Sequence, residues 1–257
     1  MNDTRKRRPT LQDIADLTGV TKMTVSRYLR DPSAVAEGTR ERIAAAVEEL
    51  GYIPNRAPDM LSNATSKAIG ILIPSLSNQV FSAVIHGIEA VTRPAGYQTL
   101  LAHYGYSPER EEEQVASLLS YNVDGLILSD TQHTERTRKM IATAGIPVVE
   151  TMDLPLSPID MVVGMDHRAA ARAMVTEMLR RGRRKVIYLG ARLDVRTQLR
   201  MEGYYQAMAD FGLTGQHLLT EQSSSFTLGG ELLAQAMARF PDLDGLFCTN
   251  DALAVGA

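Results

Sequence analysis

Tryptophan is missing from these 257 residues, and phenylalanine occurs only five times. The chain therefore offers no obvious large stacking platform for a ring-shaped ligand, which favours a short, polar, open-chain one. Cysteine occurs once, at Cys248. One thiol excludes an intramolecular disulfide framework and a multi-cysteine metal site, and it fits a reducing cytoplasm. The five histidines are scattered without metal-ligand spacing, so neither a metal nor another cofactor is expected. No run approaches the roughly 20 apolar residues of a membrane span. The basic cluster Arg5 to Arg8 is followed by Pro9 and a polar helix, not by the apolar core of an export signal. A phosphate loop, a nucleophile elbow and a zinc-protease helix are all missing. Ser223 to Ser225 has no histidine near it in sequence and reads as a polar loop, so no enzyme is expected.

Charge is unevenly placed. Residues 1–30 hold seven Lys/Arg and three Asp/Glu, a net of +4, which leaves −7 for the rest of a chain whose total is −3. A basic end on an acidic body suits a nucleic-acid-reading head on a body that does not touch nucleic acid. Within that end, Leu11 to Arg30 reads as two short helices. Thr10 caps the first, and Asp13 stands three residues on. Leu11, Ile14, Ala15 and Leu17 give it an apolar side. Gly19 supplies the permissive backbone of a sharp turn. Thr21 caps the second helix, whose Val25 and Leu29 face inward, leaving Lys22, Met23, Ser26 and Arg27 outward. This is the layout of a helix-turn-helix, although any two amphipathic helices can be joined by a glycine turn. Glu37 to Leu50 supplies a third helix, with Ile43, Val47 and Leu50 on one face, Ala36 as a weak cap and Gly51 at its end.

The stretch LQDIADLTGVTKMTVSRYLR, followed at the right spacing by Tyr52-Ile53-Pro54-Asn55-Arg56, resembles the headpiece and hinge of the lactose/galactose repressor family of bacterial transcription regulators. The resemblance runs to the last residue. Within the family, IPSLSNQVF, TKMTVSRYLR and GARLDVRT look most like the gluconate and idonate operon repressors, gluconate ahead of idonate. It implies a cytoplasmic homodimer, or a higher oligomer, that binds double-stranded operator DNA and a small sugar-acid effector. Asn55 to Ala64 then corresponds to a hinge that folds as a helix when two copies pair in the minor groove, with Leu61 wedged between base steps. Arg27 and Lys22 suit guanine edges, and Met23 suits a thymine methyl. Thr21, Thr24 and Ser26 suit phosphates, while Asn55 and Arg56 suit backbone or minor groove.

From Lys67 onward, short apolar runs alternate with amphipathic helices, the pattern of parallel sheets covered on both faces. The helix from Gln79 is expected to turn Val80, Val84, Ile88 and Val91 inward. Ligands in such folds bind beyond the carboxyl ends of the strands. Arg196 and Arg200, four apart on one helix face, want an anion, most simply a carboxylate held bidentately. The resemblance places an effector-holding arginine at Arg200 and an Asn-Asp pair at Asn250 and Asp251, with Asn250 as a hydroxyl partner. Phe81, His103 and Tyr104 are candidates for the first lobe's side of the cleft. Glu150, Asp153 and Asp166 follow strands in the same end layer, where an acid also serves as a helix cap.

The expected architecture is an all-α helix-turn-helix domain joined to a two-lobed α/β body like the periplasmic sugar-binding proteins. Its divisions are residues 1–54, a hinge at 55–66, a first lobe at 67–164 and a second at 165–257. Family members continue beyond the segment matching Thr249-Asn250-Asp251, so the second lobe is expected to be incomplete. Two other classes fit less of the chain: a sugar-acid binding protein or enzyme with an unused headpiece, and a DNA-bending protein without a ligand. A family regulator answering to another sugar, or to a corepressor, also remains open.

Overall fold

In a computed structural model that describes residues 7–55, 65–76 and 78–257, the chain forms two units, Met1–Ser66 and Lys67–Ala257. The first is built on three helices. Helix α1 (Leu11–Thr18) begins with a reciprocal cap: Thr10 N donates to Asp13 Oδ2 at 2.7 Å, and Asp13 N donates to Thr10 Oγ1 at 3.4 Å. Gly19 ends it with φ of 68°, a left-handed turn that a side chain would strain. Helix α2 (Lys22–Arg30) is capped by Thr21 Oγ1, which accepts from Thr24 N at 3.2 Å. A short 3-10 turn, Pro32–Ala34, is started by the Asp31 carboxylate and precedes α3 (Glu37–Leu50), which has no side-chain cap. Ile14, Ala15, Val25, Ile43 and Ala46 form the core of the three helices.

One expected core position is corrected. Leu17 is 52% exposed, and Thr18 takes the inward position in its place. Threonine is tolerated there because its hydroxyl donates to Ile14 O at 2.7 Å. Arg42 Nη1 donates to Thr18 O at 3.1 Å, tying α3 to the carbonyl end of α1, where a cation is favoured. The hinge expected at Asn55 to Ala64, with Arg56 and Leu61, lies outside the described residues after Asn55.

The second unit contains two parallel sheets. The first has strand order β2-β1-β3-β4-β5, from β1 (Ala68–Ile73), β2 (Gln98–His103), β3 (Gly125–Leu128), β4 (Val148–Met152) and β5 (Met161–Gly164). Helices α4 (Gln79–Thr92), α5 (Pro108–Ser120) and α6 (Glu135–Ala144) connect the first four. The second sheet, β7-β6-β8, comes from β6 (Val186–Ala191), β7 (Gln216–Thr220) and β8 (Gly245–Cys248). With it run α7 (His167–Arg180), α8 (Val195–Asp210), α9 (Phe226–Arg239) and α10 (Asp251–Gly256). The central strands β1 and β6 are continuous apolar runs, AIGILI and VIYLGA, because helices cover both faces. Strand β7, QHLLT, escaped the sequence reading because its pattern is half polar at a sheet edge.

Helix α4 corrects a second expectation. Phe81, Ile85 and Ile88 face the sheet, whereas Val80 and Val91 are 45% and 73% exposed. The helix carries two apolar stripes, and the bulkier one fills the interior.

Helices α7 and α8 approach closely at Gly203, where an added Cβ would lie 2.2 Å from Arg168 O and 2.9 Å from Arg172 N. Both obstacles are backbone atoms and cannot step aside as a side chain would. Gly203→Ala should therefore lower stability by about 1–3 kcal/mol in urea unfolding. An unchanged midpoint would show that the two helices are not in such contact.

In the first sheet's helical layer, His133 lies between two acids, with its side chain and both of theirs buried. Its Nδ1 is 2.9 Å from Glu111 Oε2, and its Nε2 makes a 3.3 Å ion-pair contact with Glu150 Oε1. A carboxylate faces each ring nitrogen, one in a hydrogen bond and one as a charge contact, so the arrangement favours imidazolium. Burial alone would lower the His133 pKa, but the hydrogen bond to Glu111 and the charges of Glu111 and Glu150 outweigh it and hold it above 6.5. Burial raises Glu111, against the opposing pull of His133. Both groups hold their protons more tightly when folded, so the sign is common. The His133 contribution to stability is complete below its ordinary value of 6.5 and is lost as pH rises through the raised folded value. Urea unfolding at a series of pH values should show that fall, and His133→Gln should flatten it. An equally steep fall in the variant would contradict the assignment.

Candidate functional site

On α2, Lys22, Met23 and Arg27 are exposed and Ser26 is half-buried, with Met23 and Arg27 on the side opposite buried Val25. Met23 is 73% exposed, far more than a core methionine. No acid stands in the first turn of the helix, where side chains of a recognition helix meet base edges. Thr21 is held as the cap, and its hydroxyl also lies 3.0 Å from the Thr24 hydroxyl. Those two therefore sit at the helix start with their oxygens mutually oriented. The same face continues to Arg30, which joins Met23, Ser26 and Arg27 around a shallow depression. The sequence reading passed over Arg30, although its three-residue spacing from Arg27 was the available signal. Asn55 is exposed at the end of the described headpiece. Arg56 and Leu61 lie outside the described residues.

The second cluster stands where the carboxyl ends of the two sheets' strands meet within the α/β unit. Met152 ends β4 with φ of 81°, an unusual backbone for a non-glycine residue, and Asp153 follows. The Gly164 backbone crosses Asp153 so closely that a Cβ there would lie 2.0 Å from Asp153 O. On the other side, Arg192 and Leu193 have φ of 67° and 48°. They lead to Asp194, whose carboxylate caps α8 by accepting from Thr197 N at 2.8 Å. Strained backbone on both sides concentrates at the residues that meet, as it does at ligand clamps.

Arg196, in the first turn of α8, reaches across to the first sheet. Its Nε and Nη2 donate to Asp153 at 2.7–2.9 Å, and Nη2 also donates to Ser129 O at 2.5 Å, just beyond β3. Burial would lower the Arg196 pKa, but Asp153 outweighs it and raises the value. Burial likewise opposes ionisation of Asp153, and the bonds from His167 and Arg196 more than offset it, lowering its pKa. A second bridge between the sheets' ends is the Arg192 guanidinium, 3.8 Å from the centroid of the Tyr106 ring.

His167, the first residue of α7, joins the two arginines. Its Nε2 lies 2.8 Å from Asp153 Oδ1 and 3.1 Å from Met152 O. Its Nδ1 accepts from Arg200 Nε at 3.3 Å and Nη2 at 3.1 Å, which places the ring proton on Nε2. Arg200 Nη1 also donates to Thr249 O, beyond β8. Thus Arg200 touches only neutral groups among the described residues, and burial pulls its pKa below the ordinary value. A guanidinium has five N–H donors. Three are engaged here, leaving one on each terminal nitrogen, the fork that matches a carboxylate.

The structure brings Asp153, Arg196 and Arg200 together but places the other ligand candidates elsewhere or in other duties. Phe81 is 2% exposed and packs with Ile71 and Ile73, so it supports the sheet from within. His103 is exposed at the end of edge strand β2, and Tyr104 is buried with its hydroxyl donating to Asp130 Oδ2 at 3.1 Å. Asn250 caps α10 through Oδ1, and its Nδ2 donates to Ser224 Oγ at 2.7 Å. Glu150 belongs to the His133 cluster, and Asp166 caps α7. His167, Tyr106 and Arg192 were missed. The carbonyls of Ser129 and Thr249 were missed too, and a main-chain oxygen leaves no mark in a sequence. Among the described residues no group of His, Cys, Asp or Glu is placed to hold a metal, and no helix is long and apolar enough to cross a membrane.

Two family models match the chain. Residues 10–55 match the bacterial regulatory proteins of the lacI family, and residues 66–257 match the periplasmic binding proteins and sugar binding domain of the LacI family. The transcriptional regulator GntR of Escherichia coli K12 is 60% identical, over 98% of this chain and 76% of its own length. IdnR of the same organism is 53% identical over the same shares. Among solved structures, a LacI-family regulator from Silicibacter pomeroyi superposes with a TM-score of 0.89 at 37% identity, covering 96% of this chain and 75% of that one. The lac repressor dimer bound to operator and an anti-inducer gives 0.82 at 26% identity, over 98% and 76%. The chain belongs to the LacI family of bacterial transcription regulators, with a helix-turn-helix DNA-binding domain ahead of a periplasmic-binding-like α/β domain.

Proposed function

We propose that this regulator represses sugar-acid catabolic genes as a cytoplasmic homodimer, and that gluconate releases it from a palindromic operator. The observation that carries the effector class is Arg200, a half-buried guanidinium on neutral partners with two N–H groups left in a fork. A carboxylate placed there satisfies both donors and supplies the missing counter-charge. Resemblance to the gluconate and idonate operon repressors selects the sugar acid independently. Arg196 and Asp153 border the same cleft, with Asn250 beyond β8 for a hydroxyl.

For DNA, Arg27 and Lys22 read base edges, Met23 packs on a thymine methyl, and Thr21, Thr24 and Ser26 hold phosphates. Residues 1–54 act as the head, 55–66 as the hinge with Asn55, Arg56 and Leu61 at the minor groove, and 67–164 and 165–257 as the lobes. A palindrome calls for two heads, as in the lac repressor dimer bound to its operator. The outward stripe of α4 suits the partner copy. Val80 and Val91 lie exposed on it, and Leu101 of edge strand β2 is exposed as well. Release requires the effector to bind the DNA-incompetent arrangement more tightly than the competent one.

Fluorescence anisotropy with a labelled operator, at one salt concentration, tests this reading. Gluconate should weaken operator binding. Arg27→Ala should cost about 1–3 kcal/mol of specific affinity while leaving nonspecific binding nearly intact. Specific binding indifferent to gluconate would overturn the effector, and no specific binding by a folded dimer would overturn the repressor.

A further inference from the structure

Three guanidinium groups and three carboxylates gather where the two sheets' strand ends meet, and their pairing is uneven. Arg192 Nε donates to Asp194 at 3.1 Å. Arg196 is taken by Asp153 on two nitrogens. Asp130 is satisfied by the Tyr104 hydroxyl at 3.1 Å and the Thr131 amide at 2.8 Å. Arg200 alone of the three cations has no carboxylate against it among the described residues.

We infer that Asp153 is a specificity-determining residue: by occupying Arg196 it leaves the cleft one guanidinium for an anion, so the site selects sugar monocarboxylates over both dicarboxylates and neutral sugars. The inference rests on the sugar-acid reading above and deepens it. One carboxylate of an acyclic sugar acid settles on Arg200. A second would need a second free fork, but Arg196 presents its Nε and Nη2 edge to Asp153 and Ser129 O. It would also face Asp153 and Asp130, both on the first sheet's side, and like charges at close range in a half-dry cleft repel strongly. A neutral sugar of the same length leaves Arg200 without a counter-charge, which is unfavourable for a half-buried cation. His167 contributes by position. It holds Asp153 from one ring nitrogen and Arg200 from the other, so the paired and unpaired guanidinium groups keep fixed places.

The test compares three acyclic or ring-opening six-carbon ligands of graded charge: D-glucose, D-gluconate and D-glucarate. Calorimetric titration of the full chain, at fixed pH and salt, should rank gluconate first, with glucarate at least about tenfold weaker, the size of one charge-assisted hydrogen bond. Asp153→Asn frees Arg196 and should move the glucarate-to-gluconate affinity ratio by about tenfold or more toward glucarate. Adding Arg196→Gln to that variant removes the freed cation and should return the ratio toward the original, a reversal that mere structural damage does not produce. Gluconate binding with a ratio that stays put in the single and double variants overturns the inference and leaves the sugar-acid reading intact. An unmodified chain that takes glucarate as tightly as gluconate also overturns it, whether or not the variants fold. Binding of neither acid overturns both.

Discussion

The ion pair between Arg196 and Asp153 is the contact on which the geometry of the α/β unit turns. It joins the first turn of a helix in the second sheet's layer to the end of a strand in the first. Both partners are largely buried, with side-chain exposures of 15% and 10%, so the pair is not a solvent-screened surface bridge. Desolvating two charges is expensive, and further hydrogen bonds around the pair help to offset the cost. The Ser129 carbonyl and His167 supply them. Strained backbone at Met152, Arg192 and Leu193 is held in place on either side of the pair.

That arrangement explains why two arginines four apart on one helix differ in chemistry. Arg196 finds a carboxylate and its positive form is favoured; Arg200 finds an imidazole nitrogen and a carbonyl, and burial works against it. The α8 helix can present both only because Gly203 lets it lie directly on α7. His167 then starts α7 at the point where it can touch both arginine systems. Packing and electrostatics are thus one problem here. A displaced α7 would move the shared histidine together with its core residues Val175 and Leu179.

Much of this was legible in the sequence. The caps Thr10 and Thr21, the turn at Gly19 and the three headpiece helices follow from local chemistry that tertiary contacts do not override. The strands β1 and β6 announce themselves as unbroken apolar runs. What failed to show had physical reasons. Helix α4 has two apolar stripes, and periodicity alone does not say which one meets the sheet. Edge strand β7 lacks an apolar face to reveal it. The spacing of Arg196 and Arg200 pointed to an anion site, but it did not show that Asp153, 43 residues earlier, would already occupy one of them. His167 and the carbonyls of Ser129 and Thr249 become partners only when distant chain segments meet.

The central claim is that effector and operator compete through one conformational equilibrium, and linkage makes that claim reciprocal. The most direct measurement is calorimetric titration of gluconate into the protein alone and into the protein saturated with operator, at the same salt concentration. The account predicts weaker gluconate binding in the operator complex, by about 5- to 150-fold, and by the same factor with which gluconate weakens the operator. Equal gluconate affinity in the two titrations would contradict it, as would tighter binding in the operator complex.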